Sequence, residues 1–359
     1  MKIVHLIDHW GLGGAQRAIC NLVSLDSENE HLVLSLFSHN KFDWELDFPV
    51  EYLGSSYQSL PCAILNLRAS LKKHHPDIVH IHLNGSRVAE MFSSLGRRRR
   101  YQIVWHEHSG IEPYKIYGRL GGTVLMKIFR TMRNKVTFIS NSPHTTEFLR
   151  QKLMPDSSAV HTIPCPVNPL SVLQSAPDME KVPPGCKTDS KPIIGFIGRI
   201  SPQKGVHQLL EMVKPFLDNS KKAQFWIIGN GPELKQLRMQ FSRSTCASQT
   251  IFFGERNDVF SIIRNLDVLI MPSQIEPYGL VAIEALLLDR PVVGYSVGGL
   301  AEILRKQPLG YPVPLNKINT FRECIETALQ KKEHYRESNK DALNTCHLFS
   351  DVYKKITNS

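Results

Sequence analysis

The chain has 359 residues and a formal net charge of +10, and at about 150 residues per domain it has room for two. Apolar residues make up 42%, an ordinary globular share, so disordered and low-complexity classes are excluded and two large cores can be buried. The charge excess and a pI of about 9.2 leave three partners open: nucleic acid, an anionic membrane surface or an anionic substrate.

Taken in chain order, the first half alternates strands and helices. Lys2–Asp8 reads as an apolar strand ending in a glycine turn, Gly11–Gly14, and a helical pattern runs from Ala15 to Leu25. His31–Phe37 is the next strand and Leu60–His74 has helical spacing. Asp77–His82, Gln102–Trp105 and Lys135–Ser140 follow as strands. Strands separated by helices predict a parallel sheet covered on both faces. A proline-rich stretch without periodicity then interrupts the pattern. Strands resume at Pro192–Gly198, Gln224–Ile228, Ile251–Phe253, Val268–Met271 and Val292–Tyr295, with a helix over Gly205–Asp218. The segment Thr320–Ile356 is charged and helical in pattern. The prediction is α/β, two doubly wound Rossmann-like domains facing a central cleft, with ligands outside the carboxyl ends of the strands. The expected boundaries are 1–175 for the first domain, 176–191 for a linker, 192–335 for the second domain, and 336–359 for a helical segment that can pack back on the first.

The glycine turn Gly11-Leu-Gly13-Gly14-Ala-Gln16 follows a strand and opens a helix. It lacks the third glycine of a dinucleotide fingerprint, and Phe37-Ser38-His39 lacks the acidic residue. Backbone amides at a helix N-terminus remain able to bind an anion there. In the second half, Arg199 ends a strand and Lys204 lies five residues on, so a planar fork and a point charge can share one diphosphate. Ile227-Ile228-Gly229-Asn230-Gly231 is a further close-approach turn. The most informative block is Met271-Pro-Ser273-Gln-Ile-Glu276-Pro-Tyr278-Gly279-Leu280-Val-Ala-Ile-Glu284. A strand ends, a loop carries Glu276, and a helix begins near Tyr278, whose first-turn amides can bind an oxygen. Glu284 shares the face of Leu280 and leans toward the helix start. Two carboxylates can thus accept hydrogen bonds from the hydroxyls of one ligand.

These motifs in this order, closed by Gly298-Gly299-Leu-Ala-Glu302, resemble glycosyltransferase family 4, the retaining nucleotide-sugar transferases of the GT-B fold. The resemblance spans essentially the whole chain and is clearest from 192 to 304. It implies that Arg199 and Lys204 bind the donor diphosphate and stabilise the leaving group. It implies that Glu284 holds the ribose, and that Glu276 with the amides of Tyr278, Gly279 and Leu280 holds the donor sugar. Gly14 would lend its backbone, and His106, in Val-Trp-His106-Glu107-His108, would stand near the reacting sugar. The catalytic set is therefore expected to be His106, Arg199, Lys204 and Glu276. Two departures stand out: Gln16 occupies the place of an acid, and Ile163-Pro-Cys165-Pro-Val-Asn168 replaces an Ile-Pro-Asn-Gly-Val-Asp type loop.

No Asp-x-Asp is present, so the expected chemistry is metal-independent and needs no cofactor beyond the nucleotide-sugar co-substrate. The leaving phosphate would take the acceptor's proton in a front-face attack. The expected acceptor is a glycan or lipid-linked saccharide in surface polysaccharide or glycoconjugate biosynthesis. A GT-B epimerase or phosphorylase is the rival enzyme reading. A basic nucleic-acid-binding protein is the rival outside enzymes, but no RRM, helix-turn-helix or zinc pattern accompanies the charge. The seven cysteines form no C-x-x-C pair, which removes zinc ribbons and suits a reducing cytosol. No stretch approaches the ~18 apolar residues of a membrane span.

The charge itself is concentrated. Residues 97–135 hold ten Lys and Arg against two acids, Glu107 and Glu112, a net +8 of the chain's +10. Apolar residues recur with helical spacing over Ile116–Met132. Arg97, Arg98, Arg99, Arg100, Lys115, Arg119, Lys127, Arg130 and Arg133 are the expected contacts to an anionic membrane, each contributing about 1 kcal/mol near the surface. The competing reading is a core-facing helix with a solvated basic edge. The location expected from this is cytoplasmic, peripheral on the inner face of the cell membrane.

Overall fold

The computed structural model describes residues 1–11, 13–38, 48–55, 59–96, 98–110, 113–153, 155–156, 159–174, 191–218, 223–330 and 346–357. Two compact units emerge, one of Met1–Asn168 with Leu343–Ser359, the other of Pro169–Ala342. The boundary falls at 168/169 because the short helix Pro169–Gln174 packs with the second unit, where Arg264 Nη2 donates to Leu173 O at 2.5 Å. Most of the expected linker lies outside the described residues.

The first unit is a wholly parallel sheet of seven strands. In chain order these are β1 (Lys2–Trp10), β2 (Glu30–Ser38), β3 (Val50–Tyr52), β4 (Ile78–Ile81), β5 (Gln102–Glu107), β6 (Thr137–Ser140) and β7 (Val160–Thr162). They lie in the order β3-β2-β1-β4-β5-β6-β7. The direction of winding reverses between β1 and β4, so their carboxyl ends open a crevice. One face buries Leu6, Leu34, Trp105 and Phe138 under helices. The other buries Ile3, Ile78 and Val104 with Phe349 and Tyr353 of the C-terminal helix Cys346–Thr357.

The second unit repeats the plan with β8 (Ile193–Ile197), β9 (Gln224–Ile228), β10 (Thr250–Gly254), β11 (Val268–Met271), β12 (Val292–Tyr295) and β13 (Gly310–Val313), ordered β10-β9-β8-β11-β12-β13. Here the switch point lies between β8 and β11. The central strands are buried along their whole length, which is why both read as unbroken apolar runs. The helix expected over Gly205–Asp218 starts later, at Leu209–Leu217, after two 3-10 turns. Gly205 causes the delay: its φ is +68°, and a Cβ there would stand 1.9 Å from Pro272 O, so only glycine fits.

Candidate active site at the switch point of the second sheet

The loops that leave the switch-point strands are tied to one another through their backbones. Gly198 N donates to Ile228 O at 3.0 Å and Ile200 N to Asn230 O at 2.8 Å, which joins the loops after β8 and β9. Gln274 N donates to Gln203 O at 2.8 Å, joining the loops after β8 and β11, and Gly299 N donates to Glu276 O at 3.1 Å. This close approach explains the Gly-x-Gly pattern. A Cβ on Gly229 would lie 1.9 Å from Gly198 O, and one on Gly231 would lie 2.2 Å from Ile200 O.

On this scaffold the sequence-predicted residues fall at one end of one sheet. Arg199, in the first loop, is exposed. Lys204, from the same loop, reaches Glu276 in the loop after β11, Nζ to Oε2 at 2.5 Å. Glu276 is 6% exposed, and its Oε2 also accepts from Ser273 Oγ at 3.1 Å. A carboxylate this buried needs such hydrogen-bonding partners. The Ser273 hydroxyl was not assigned a role from sequence, although the Pro-Ser step before the loop carries it. Tyr278 and Gly279 lead into the helix Leu280–Leu287, with Gly279 in the left-handed region at its N-cap. That helix points its first-turn amides toward the same strand ends. Glu284 is buried on it at 3% exposure. A cation, two carboxylates and a helix N-terminus can therefore address an anion joined to hydroxyl-bearing groups.

In the first unit, Gly14 opens the helix Gly14–Leu25 after β1, and a Cβ there would meet nothing within 4 Å. Gln16, in the place where an acid was expected, is structural. Its Nε2 donates to His9 O at 2.9 Å, which a carboxylate could not do. His106 lies inside β5, 2% exposed, with neither ring nitrogen hydrogen-bonded. His108 follows the strand, and its ring stacks on that of His106 at 3.9 Å. Glu107 points to the other face. It pairs with the buried Arg87, Nη1 to Oε2 at 3.1 Å, and its Oε1 accepts from Ser109 N, Ser109 Oγ and Gly110 N. Burial would raise its carboxyl, but Arg87 and these donors hold it below the usual carboxylate range. Glu107 thus shapes the turn that presents His108.

His5, His80, His82, His106 and His108 form one layer on this sheet face. Burial, reinforced by their mutual repulsion, pushes the first four well below the ordinary histidine value. Burial takes His108 down to about 4. The unfolded chain therefore binds more protons than the folded one below pH ~6.5, and stability falls as pH drops from there toward 4. The thermal midpoint should accordingly decline between pH 7.5 and pH 5. A flat midpoint across that range would contradict the buried, neutral layer.

Of the basic stretch, the helix Pro113–Met132 is kinked at Gly118. Phe129 and Met132 face the core, whereas Leu120, Val124 and Ile128, spaced by four, are exposed at 82%, 50% and 37%. Arg119, Lys127 and Arg130 are exposed beside them, as are Arg98 and Arg100 before β5, and Arg133 is half-buried. Arg99 is a correction: its guanidinium is bound twice by the fully buried Glu90, at 2.8 and 3.1 Å, and is spent inside the protein. Arg97 and the side chain of Lys115 lie outside the described residues. No helix among the described residues is long and apolar enough to cross a membrane.

Residues 12–169 match the family model for Glycosyltransferase Family 4, and 180–345 match that for Glycosyl transferases group 1. A 2-deoxystreptamine N-acetyl-D-glucosaminyltransferase of Streptomyces fradiae is 26% identical over 78% of this chain and 69% of its own. The sucrose-phosphate synthase of Thermosynechococcus elongatus superposes with a TM-score of 0.80 at 18% identity, over 99% of both chains. Anabaena HepE in complex with UDP gives 0.74 at 18% identity over the full length of both. With family models matched in both units and the GT-B architecture around them, the chain belongs to the GT-B glycosyltransferases of family 4.

Proposed function

We propose that the protein is a retaining, metal-independent transferase moving a hexosyl or N-acetylhexosaminyl group from a nucleotide-diphosphate donor to a glycan or lipid-linked saccharide. The observation that carries this is the Lys204–Glu276–Ser273 cluster at the switch point of the second sheet. Bond breaking at the anomeric carbon leaves negative charge on the diphosphate. Arg199, Lys204 and the amides of Tyr278–Leu280 stabilise it without moving at the moment of reaction. Lys204 is held by Glu276, so its charge is already aimed when the donor arrives. Glu276 then accepts from sugar hydroxyls and Glu284 from the ribose. In the first unit, Gly14 and His108 lie just past the carboxyl ends of β1 and β5. His108 takes the role first assigned to His106, because His106 is sealed within β5. UDP in HepE and the sugar transferred by the Streptomyces relative support the donor class. Incubation with a panel of nucleotide sugars and saccharide acceptors, read by nucleotide release and by NMR of the new anomeric proton, tests it. Transfer with retained configuration is expected. Sugar isomerisation without an acceptor, or an inverted product, would overturn it.

The exposed Leu120-Val124-Ile128 stripe flanked by Arg119, Lys127 and Arg130 supports an acceptor presented at an anionic inner membrane face. Flotation with phosphatidylglycerol vesicles at low salt should carry the protein to the top of the gradient. Serine at positions 120, 124 and 128 should reduce this at least several-fold without changing the fold, since all three lie on the exposed face of the helix, away from the buried Phe129 and Met132. Equal flotation of the two proteins would remove the stripe from the reading.

A further inference from the structure

Four histidines of the first unit form a single hydrogen-bonded row. His31 Nδ1 lies 2.9 Å from His5 Nε2, His5 Nδ1 lies 3.1 Å from His82 Nε2, and His82 Nδ1 lies 3.0 Å from His108 Nε2. Neighbouring rings in the row have centroids 5.2, 5.3 and 5.2 Å apart, so they meet edge to edge rather than face to face. The inner end of the row is a carboxylate. Asp26 Oδ2 stands 3.2 Å from His31 Nε2, an ion-pair distance at which the ring N–H is not aligned for a hydrogen bond. Both side chains there are almost wholly buried. The outer end is His108, just beyond the carboxyl end of β5, and its Nδ1 has no partner among the described residues.

A neutral imidazole has one donor and one acceptor nitrogen. In a row of such rings, fixing one fixes all. A carboxylate 3.2 Å away repels a bare nitrogen lone pair and attracts an N–H, so its charge places the His31 proton on Nε2. Its Nδ1 then accepts from His5 Nε2–H, His5 Nδ1 accepts from His82 Nε2–H, and His82 Nδ1 accepts from His108 Nε2–H. We propose that Asp26, through His31, His5 and His82, fixes His108 as the Nε2–H tautomer, so that a bare Nδ1 lone pair is presented to a hydroxyl of the bound sugar. Asp26 and the three inner histidines are positioning residues, with Asp26 four links from the group it controls. The lowered proton affinity of His5, His82 and His108, caused first by burial, keeps those rings neutral and the alternation intact. The assignment of the lone pair to a sugar hydroxyl rests on the transferase reading above. The order of the tautomers does not.

Asp26→Asn is nearly isosteric and gives an unusual expectation. Asn29 Nδ2 donates to both oxygens of Asp26, to Oδ2 at 2.8 Å and to Oδ1 at 3.1 Å, while Glu28 N, a backbone donor that cannot turn away, donates to Oδ1 alone; the amide oxygen of an asparagine therefore belongs on the Oδ1 side, where it keeps both donors. Its NH2 then faces His31 Nε2 and donates to it. Every proton in the row must shift to Nδ1, and His108 ends as a donor. Ring 15N NMR of histidine-labelled protein distinguishes a protonated from a bare nitrogen directly. The wild type should show Nε2–H at residues 5, 31, 82 and 108, and D26N should show Nδ1–H at all four. The kcat/KM of D26N should fall about tenfold, the worth of one hydrogen bond. His82→Leu, which has neither donor nor acceptor and so cuts the row, should leave D26N and wild type with the same His108 tautomer. Nδ1–H or mixed rings in the wild type, or an unchanged pattern in D26N, would overturn the proposal. So would a stoichiometric metal ion bound by these histidines, because a lone pair given to a neighbour's proton is not available to an ion. Flipped tautomers with unchanged kcat/KM would support the relay and count instead against His108 as a sugar contact.

Discussion

Replacing Lys204 by alanine should lower kcat/KM about 10²–10³-fold, the cost of removing one preorganised group aimed at developing negative charge. Two effects act together. The diphosphate loses its point charge, and Glu276 loses the partner that holds its carboxylate in place, keeping only Ser273. The loss should therefore appear in both donor affinity and turnover. Lys204→Arg should restore part of the binding, since the charge returns on a longer, planar group that no longer matches the 2.5 Å contact. The thermal midpoint of K204A should stay near that of the wild type, because Lys204 is at the surface end of the sheet. Steady-state kinetics with the preferred donor decide the matter. Wild-type turnover in K204A would show that the cluster is an ordinary loop contact.

The second large effect is on stability. Glu107→Ala should destabilise the first unit by about 3–5 kcal/mol, because it leaves the Arg87 guanidinium buried without its counter-charge. Arg87 is 3% exposed and packed against Trp105 and Phe129, with its carbon at 5.3 and 5.6 Å from their ring centroids. Its remaining acceptors, Asn84 Oδ1 and His106 O, are neutral. The turn after β5 also loses the oxygen that gathers Ser109 and Gly110. The double variant Arg87→Met with Glu107→Leu should recover most of the loss, since it removes both charges and keeps the volume. Denaturant unfolding measures this, and a double variant no more stable than Glu107→Ala would assign the loss to the turn and not to the stranded charge.

Much of the fold was legible because parallel strands buried on both faces leave apolar runs, as in Ile193–Ile197 and Val268–Met271. The strands that escaped are the short ones. Val50–Tyr52 and Val160–Thr162 have three residues each, too few to show a period, and Gly310–Val313 contains a proline that disguises it. The switch-point residues were legible because their chemistry is local to motifs after β8 and β11. What no motif could supply was contact between distant segments. The Lys204–Glu276 bond joins residues 72 apart, and the row from Asp26 to His108 draws on four separate segments. His80 and His82, like His106 and His108, alternate along the sequence and so share a sheet face. That spacing was visible, but the layer needs the register that sets His5 beside His80. The burial of His106 was hidden for the same reason: only the end of β5 separates its sealed ring from that of His108.

The central claim is that the ends of β8 and β11 hold a nucleoside diphosphate through Lys204 and Glu284. Isothermal calorimetry of uridine, guanosine, adenosine and thymidine diphosphates against the wild type, Lys204→Ala and Glu284→Gln tests it most directly. The account predicts one site per chain for at least one of these nucleotides, with affinity reduced about tenfold or more in each variant. Binding of that nucleotide with equal affinity in all three proteins, or no binding of any of the four to the wild type, would contradict it.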